Sequence, residues 1–212
     1  MARPIAGTLA EAHLRRRGID RLHDVAALRF HPYCFYRLDE GGQPRVSEAW
    51  PALIAAVTEF EGVITGVQRT WLDPSGRGKA PVPTPRRAMG RLLGHAVRFC
   101  VPAEAGVMTA GEGIETVLSL RGVLPAMPLV AALSANHLAA LLPPSGLRRL
   151  YIVRDNDRAG YWAVETLAAR ARAAGIEAIV LAPRLDDFND DLRQLGPRAL
   201  ATGYVGSWPR RT

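Results

Sequence analysis

Two carboxylates one residue apart, Asp155 and Asp157, follow an apolar run of aromatic and β-branched residues that begins at Tyr151. An Ala-, Leu- and Arg-rich helical pattern follows them and extends to Ala174. This order predicts a buried strand that delivers both acids to the loop before a helix, where open α/β sheets bind their ligands. Two carboxylates held so close repel each other unless a cation lies between them, so the pair favours a divalent metal, most simply Mg²⁺. The alternative is that one of the two acids only caps the helix.

Two further acidic segments follow predicted strands. Glu112 stands between two glycines, a setting that suits either a third metal ligand or a general acid or base. Glu115, near the start of the next helix, is expected to complement the helix dipole. The segment 186–191 holds four acids in six positions, among them Asp187 and Asp190. It is either a solvated turn or an acidic loop that extends the metal site.

The elements that must position these acids alternate between strand and helix from Gly106 onward. Strands are predicted at 107–110, 129–133, 149–154 and 176–181. Helices are predicted at 134–142 and 158–174, and another is predicted to follow the segment 111–116 and to end at about 121. Four such strand–helix units in under a hundred residues predict a compact parallel sheet flanked by helices. The three acidic segments would then meet at one edge of that sheet.

The first half of the chain has a different pattern. A short amphipathic helix is predicted from Thr8 to Gly18, and its three consecutive arginines, 15–17, are partly explained by the helix dipole. The extended pieces predicted after it are 31–36, the hairpin strands 51–58 and 62–72, and 95–101, with a turn at 39–42. These elements predict a small antiparallel sheet with helical edges, which makes the first half a small basic α+β domain.

The positive charge belongs mainly to this first half. The net charge is +7, and Lys79 is the only lysine among 27 basic residues. Residues 1–100 contain 15 basic and 9 acidic residues, against 12 and 11 in the remainder. An arginine-rich surface suits phosphate because guanidinium groups bind its oxygens in bidentate fashion, so nucleic acid is the favoured partner. The alternative is that the arginine content only reflects a GC-rich genome.

A basic loop is predicted between Arg69 and Arg98, where seven basic residues face a single acid, Asp73. Turn residues at 73–76 and alternating prolines at 81, 83 and 85 predict a flexible piece followed by a stiff one, suited to hold a strand or a nucleotide. The predicted contacts are Arg69, Arg77, Lys79, Arg86, Arg87 and Arg91, together with Arg158 after the paired acids. The alternative is a solvated loop without a ligand. The Gly78–Lys79 pair is not a Walker A loop, because Ala80 replaces the required Ser or Thr.

Cysteine content and hydropathy narrow the remaining possibilities. Cys34 and Cys100 are the only thiols, so no zinc site and no disulfide framework are expected from this chain by itself. The first seven residues form no apolar signal region, and no apolar stretch has the length of a membrane span. A cytoplasmic protein without membrane contact is expected.

The three acidic signals stand in a fixed order: Glu112 in G-E-G, Asp155 and Asp157 in D-N-D-R-A-G, and Asp187 and Asp190 in D-D-F-N-D. Together they resemble the Toprim domain shared by bacterial primases, type IA and II topoisomerases and certain nucleases. The D-x-D-x-A-G form is more similar to the primase branch. The first half is similar to the segment that precedes Toprim in phage- and plasmid-type primases, and so to proteins of mobile elements. The residues that carry this second likeness are 13–19, 29–32, 68–72 and 94–98.

The resemblance implies an α/β fold with a Toprim-like Rossmannoid parallel sheet flanked by helices, preceded by the small basic α+β domain. We expect the basic domain over 1–104, the Toprim catalytic domain over 105–200 and a C-terminal tail over 201–212. Glu112 would correspond to the acidic catalytic residue of the family, and the other acids would hold Mg²⁺ or Mn²⁺: Asp155 and Asp157 as the metal-holding pair, Asp187 and Asp190 as outer positions. Arg69 and Lys79 would contact nucleotide or template.

The activity that the resemblance implies is primer synthesis for DNA replication, a nucleotidyl transfer from NTPs on a single-stranded DNA template. A nuclease is the alternative from another reaction class, since the same acids can activate water. A non-catalytic DNA-binding subunit of a replication complex is the third hypothesis, and the retained acids count against it. A topoisomerase is disfavoured, because it would need a nucleophilic tyrosine in a further domain and a longer chain. Family primases usually carry a zinc module and often a helicase, so separate partners of these kinds are expected.

Overall fold

The structure is a computed structural model that describes residues 1–23, 25–37, 39–40, 43–44, 48–99 and 106–204. The first half contains α1 (Leu9–Arg16), β1 (Leu28–Tyr36), β2 (Asp39–Glu40), β3 (Gln43–Pro44), β4 (Glu48–Thr58), β5 (Ile64–Trp71), β6 (Arg86–Gly90) and β7 (Val97–Phe99). The second half contains β8 (Val107–Gly111), α2 (Ile114–Arg121), β9 (Leu129–Ala131), α3 (Ala135–Ala140), β10 (Arg149–Val153), α4 (Arg158–Ala173), β11 (Glu177–Leu181) and α5 (Phe188–Tyr204).

The first half forms a four-stranded antiparallel sheet in the order β1-β4-β5-β6, which confirms the antiparallel sheet predicted there. The predicted hairpin is the β4–β5 pair, whose register runs from Ala52 opposite Trp71 to Thr58 opposite Ile64. A bulge between His31 and Cys34 interrupts β1. Of the turn predicted at 39–42, residues 39–40 form the strand β2, and 41–42 lie outside the described residues.

The second half forms a five-stranded sheet in the order β11-β10-β8-β9-β7. Strands β8 to β11 are parallel to one another, as predicted, and β7 adds an antiparallel edge beside β9. The chain passes from β8 to β9 on one side and then crosses to β10 on the other. The loops that follow β8 and β10 therefore diverge at a topological switch point, the position where sheets of this kind bind ligands.

Two apolar cores cover the faces of this sheet. On one face α3 and α4 pack through buried residues such as Leu138, Val164 and Leu167. On the other face α2 and α5 share a continuous core with the antiparallel sheet, in which Phe30 and Leu53 join Leu118 and Phe188. Since this core includes residues of both halves, they are packed as one body. The domain boundaries at 104/105 and 200/201 stay predictions.

A buried ion pair also joins the halves. Arg86 of β6 places Nη2 2.7 Å from Oε1 of Glu115, which lies in the first turn of α2 and is 8% exposed. Nε2 of the buried His13, on α1, is 3.9 Å from the same oxygen. Burial alone would raise the pKa of Glu115, but His13 and the charge of Arg86 hold it well below its usual range. Glu115 is therefore ionised and does more than complement the helix dipole.

The last helix corrects the prediction for residues 186–191. An acidic loop through Asp191 was expected, but α5 begins at Phe188, so Asp190 and Asp191 lie in its first turn. The helix starts here because Oδ1 of Asp187 accepts a hydrogen bond from the backbone N–H of Asp190, 2.7 Å away, and Phe188 is fully buried. α5 bends at Gly196, whose φ is 84°, and continues to Tyr204, so it includes the first four residues of the predicted tail. Residues 205–212 lie outside the described range.

None of the described helices combines the length and the apolar character that crossing a membrane requires.

The close approach of Gly160 to the loop of the paired acids generates a first prediction. A Cβ at this position would stand 2.5 Å from the backbone oxygen of Asp155, so the loop would have to shift. We expect Gly160→Ala to lower the free energy of unfolding by about 1–3 kcal/mol, the cost of overpacking, measured by urea denaturation. Gly122→Ala is the control, because its φ is −60° and its nearest neighbouring atom is 3.8 Å away. Equal stability of the two variants would contradict the prediction.

The buried ion pair generates a second prediction. Glu115→Ala leaves the guanidinium of Arg86, whose side chain is 33% exposed, without its carboxylate, and a partly buried charge that loses its partner is destabilising. We expect a loss of about 1–3 kcal/mol in the free energy of unfolding, against a change near zero for Glu165→Ala, which removes an exposed glutamate from the middle of α4. A loss no larger than that of the control would show that the pair does not join the halves.

Candidate active site

The loop that carries the paired acids, residues 154–157, follows β10 and is held by the loop that follows β11. The backbone N–H of Asn156 donates to the carbonyl of Asp186 at 2.8 Å, and its side chain donates to the carbonyls of Pro183 and Leu185. Arg154 donates to Oδ1 of Asn156 at 2.8 Å. The middle residue of the D-N-D motif therefore fastens the two loops together, while the aspartates on either side remain at the sheet edge.

Glu112 follows β8, the strand next to β10. Gly111 is required before it, because a Cβ there would stand 2.4 Å from Cγ2 of Val153 at the end of β10. This close approach brings the ends of the two strands together. Burial raises the pKa of Glu112, and the charge of Asp157 adds to the effect, while a backbone hydrogen bond from Ala135 opposes it.

Asp155 is half-buried, and the charges of the other acids shift its pKa. Burial raises its pKa to about 7, and like charges add to the effect. Those charges belong to Glu112, Asp187 and Asp157, in that order of size. Oδ1 of Asp155 is buried and has no hydrogen-bond partner among the described residues. The three acidic segments therefore lie within electrostatic range of one another at the same edge of the sheet.

Asp157 is exposed and caps α4: its Oδ1 accepts a hydrogen bond from the backbone N–H of Gly160 at 2.6 Å. The helix-capping alternative is thus realised at this residue, with one carboxylate oxygen engaged. Asp187 caps α5 in the same way, and burial raises its pKa. Its neighbour Asp190 lies 3.5 Å from Nη1 of Arg193.

Two polar residues of the segment 186–191 have structural contacts. Asp191 is 1% exposed and accepts hydrogen bonds from the backbone N–H groups of Arg184 and Leu185 at 2.9 and 2.8 Å. Asn189 is fully buried, donates to the carbonyl of Arg17 at 2.8 Å and accepts from its guanidinium at 3.1 Å. The segment therefore anchors the end of α1 as well as the loop beside the acids.

The acids at this edge have the chemistry of a divalent metal site. Carboxylate oxygens are the ligands that Mg²⁺ prefers, and a cation would relieve the repulsion on Asp155 and reach its unpartnered oxygen. Within the described part of the chain, no three His, Cys, Asp or Glu side chains are grouped closely enough to hold an ion as they stand. The residues fit the chemistry of a hard cation, and their side chains would have to close around it.

The basic residues of the predicted loop have various positions. Arg69 lies over the ring of Trp71, and Arg87 lies over that of Tyr36 and donates to the carbonyl of Arg37. The others differ in exposure: Arg86 pairs with Glu115, Arg91 is exposed 3.7 Å from Glu59, Arg77 is exposed, Lys79 is half-buried, and Arg158 is exposed at the first position of α4. Of these basic residues, only Arg86 is among the charges that shift the pKa of Glu112.

Sequence reasoning missed Arg17 as a member of the site. Its positive charge acts on Asp187 and on Glu115, and its side chain is fixed by Asn189. The three consecutive arginines were attributed to the helix dipole, so the signal was seen but assigned to α1 alone. The stretch 13–19, on which the likeness to primases partly depended, contains this residue.

Comparisons with known proteins agree with this geometry. Residues 107–198 match the model of the Toprim domain, and residues 1–99 match a domain of unknown function, DUF7146. No curated protein sequence matches the chain.

Solved structures of bacterial primases share the fold over nearly the whole chain. A DNA primase domain from Pseudomonas aeruginosa is 14% identical, with a TM-score of 0.62 over 94% of this chain and 72% of that one. The Aquifex aeolicus primase, with its zinc-binding and RNA polymerase domains, is 16% identical, with a TM-score of 0.60 over 97% and 57%. The RNA polymerase domain of the Mycobacterium tuberculosis primase is 15% identical, with a TM-score of 0.57 over 94% and 77%.

These findings confirm the Toprim domain and the fold class expected from the ordered acids. Residues 107–198 match the Toprim domain, residues 1–99 match a domain of unknown function, and the fold is shared with solved structures of bacterial DNA primases.

Proposed function

We propose that this protein synthesises primers, joining NTPs on a single-stranded DNA template in a reaction that depends on Mg²⁺ or Mn²⁺. One observation carries the proposal: acids from three separate loops act on Asp155 at the switch point of the sheet. The similarity to primase domains supports it, because it extends over both halves of the chain and not over the Toprim domain alone.

In this proposal Asp155 and Asp157 hold the metal, with Glu112, Asp187 and Asp190 around them. The caps that Asp157 and Asp187 provide use one carboxylate oxygen of each residue, which leaves the second oxygen for a ligand. A divalent ion bound there supplies positive charge to the triphosphate of the incoming nucleotide and to the transition state of in-line transfer.

Glu112 is proposed to accept the proton of the attacking 3′-hydroxyl. A carboxylate whose pKa is raised by burial and by Asp157 is better matched to proton transfer near neutral pH than an ordinary glutamate. Its position between Gly111 and Gly113 keeps the carboxylate free of neighbouring side chains on the same loop. The backbone of Glu112 is fixed by its carbonyl, which accepts from the N–H of Leu133 at 2.8 Å.

The positive side of the site is proposed to come from the first half. Arg86 is close enough to Glu112 to act on its pKa, and Arg17 has the same relation to Asp187. Both guanidinium groups are held by protein contacts, Arg86 by Glu115 and Arg17 by Asn189, so they are preorganised toward phosphate charge. Arg69 and Arg87, which stack on aromatic rings, are proposed as less direct contacts of the template.

A prediction about activity follows. The protein is incubated with Mg²⁺ or Mn²⁺, labelled NTPs and a single-stranded DNA template, and short oligonucleotide products are expected. Asp155→Asn keeps the shape of the side chain and removes its charge, so the rate should fall by about 100-fold or more. Asp186→Asn is the matched control, since Asp186 is exposed on the neighbouring loop and should leave the rate unchanged.

The outcomes of this experiment separate the candidate functions. A shortened template with no new oligonucleotides would identify a nuclease that uses the same acids on water. Primer synthesis that survives Asp155→Asn would reject the assigned role of Asp155. Absence of both products under both metals would leave DNA binding without catalysis and would reject the enzyme.

A further prediction concerns stability, and it tests the clustering of the acids without a turnover assay. Because the pKa of Asp155 is about 7 in the folded protein and about 4 in an unfolded chain, the folded state holds the extra proton between these values. Raising the pH from about 4 to about 7 therefore costs the wild type stability that Asp155→Asn keeps. In EDTA, the melting temperature of the variant should exceed that of the wild type, and the difference should grow as the pH rises over this range. Each kcal/mol of difference in the free energy of unfolding should raise it by about 2–4 °C.

Added Mg²⁺ should reverse this difference, because only the wild type gains binding energy from the ion. Differential scanning fluorimetry over the pH series measures both effects, and Asp186→Asn again serves as the control. A difference between variant and wild type that does not change with pH would show that the other acids do not act on Asp155.

A further inference from the structure

A cavity of about 320 Å³ lies where α1, the loop at 77–79 and α5 meet, and its lining is almost entirely basic. The basic residues that line it are His13, Arg16, Arg17, Arg77, Lys79 and Arg193. None of the residues that line the cavity is acidic, but two acids lie behind them: Asp190 is 3.5 Å from Arg193, and Glu115 is 3.9 Å from His13. Arg16 and Arg193 do not belong to the predicted basic loop.

Holding so many cations around one cavity is costly unless an anion enters it. Burial lowers the pKa of Lys79, and the charges of Arg86 and Arg17 lower it further against the opposing charge of Glu115. His13 is 7% exposed, and its Nε2 faces Glu115, whose Oε1 is 3.9 Å away.

A second cavity, of about 540 Å³, adjoins the first and shares Arg16 and Arg193 with it. Its floor is apolar, formed by residues such as Ile19, Leu118 and Leu192. It extends along α2 as far as Gly122, which follows the C-terminal end of that helix, whereas Glu112 precedes the N-terminal end. The two cavities therefore form a path that starts near the acidic edge and leads away from it.

We propose that these two cavities, together the α1–α5 groove, bind the backbone of a single-stranded nucleic acid, with phosphates at the arginines and a base over the apolar floor. A positively charged groove that follows the backbone is the electrostatic part of sequence-independent strand binding. Two adjoining cavities, each with basic residues of its own, suit successive phosphates of a strand better than the single phosphate chain of an NTP. The proposal rests on the proposed function only in taking nucleic acid as the ligand.

The test measures binding of a dye-labelled, single-stranded oligothymidine of about 15 nucleotides by fluorescence anisotropy, in EDTA and over a salt series. The double variant Arg16→Ala/Arg193→Ala should weaken binding severalfold. The slope of log K against log salt should become shallower by about 1.4, since each lost phosphate contact on a single strand accounts for about 0.7. The matched control is Arg149→Ala/Arg172→Ala, which removes the same charge where neither residue lines the groove.

Each outcome decides the proposal. Unchanged affinity and slope in the groove variant, or an equal loss in the control, would overturn it. Equilibrium dialysis with labelled ATP gives the second arm: if the groove variant loses ATP binding and keeps the oligonucleotide, the cavities bind a free nucleotide and not a strand. This experiment measures binding and not turnover, and it can be repeated in the Asp155→Asn background. A protein that makes no primers could therefore still bind the oligonucleotide in the groove. A groove that binds no oligonucleotide would not contradict primer synthesis.

Discussion

The repulsion among the acids at the edge of the parallel sheet is the constraint on which the site depends. Asp155 is pressed toward its neutral form by burial and by three neighbouring carboxylates, so the surrounding fold must hold these groups together against their charge. It does so through backbone contacts. Asn156 fastens the paired acids to the loop after β11, Gly160 lets α4 begin directly beneath Asp155, and Gly111 lets the ends of β8 and β10 meet. The energy stored there makes the edge receptive to a cation.

Folding places the basic first half of the chain beside this edge. The two sheets share one apolar core, the Arg86–Glu115 pair crosses between them, and Asn189 of α5 holds the end of α1. As a result, arginines that are separated in sequence from the acids by up to 170 positions lie within electrostatic range of them. The site is therefore a joint product of both halves, which is consistent with a fold similarity that extends along nearly the whole chain.

Much of this arrangement could be predicted from the sequence, because strand periodicity and glycine placement are local signals. The parallel strands, the hairpin and the order of the acids were predictable in this way. The beginning of α5 at Phe188 was not, since a run of aspartates resembles a loop until one of them caps a helix. The partners of Arg86 and Arg17 could not be predicted from the sequence either, because they depend on how the two sheets pack. A string of arginines looks the same whether it faces solvent, an aromatic ring or a buried glutamate.

The antiparallel strand β7 has a consequence for where this protein can be divided. Residues 97–99 precede the predicted boundary at 104/105, yet they cover the outer side of β9. A fragment that begins at residue 105 would leave the backbone of β9 as an open edge, able to pair with another chain. If the first half is exchanged or truncated, the cut must therefore fall upstream of Val97. Strand β7 then stays paired with β9, and the edge of the sheet stays covered.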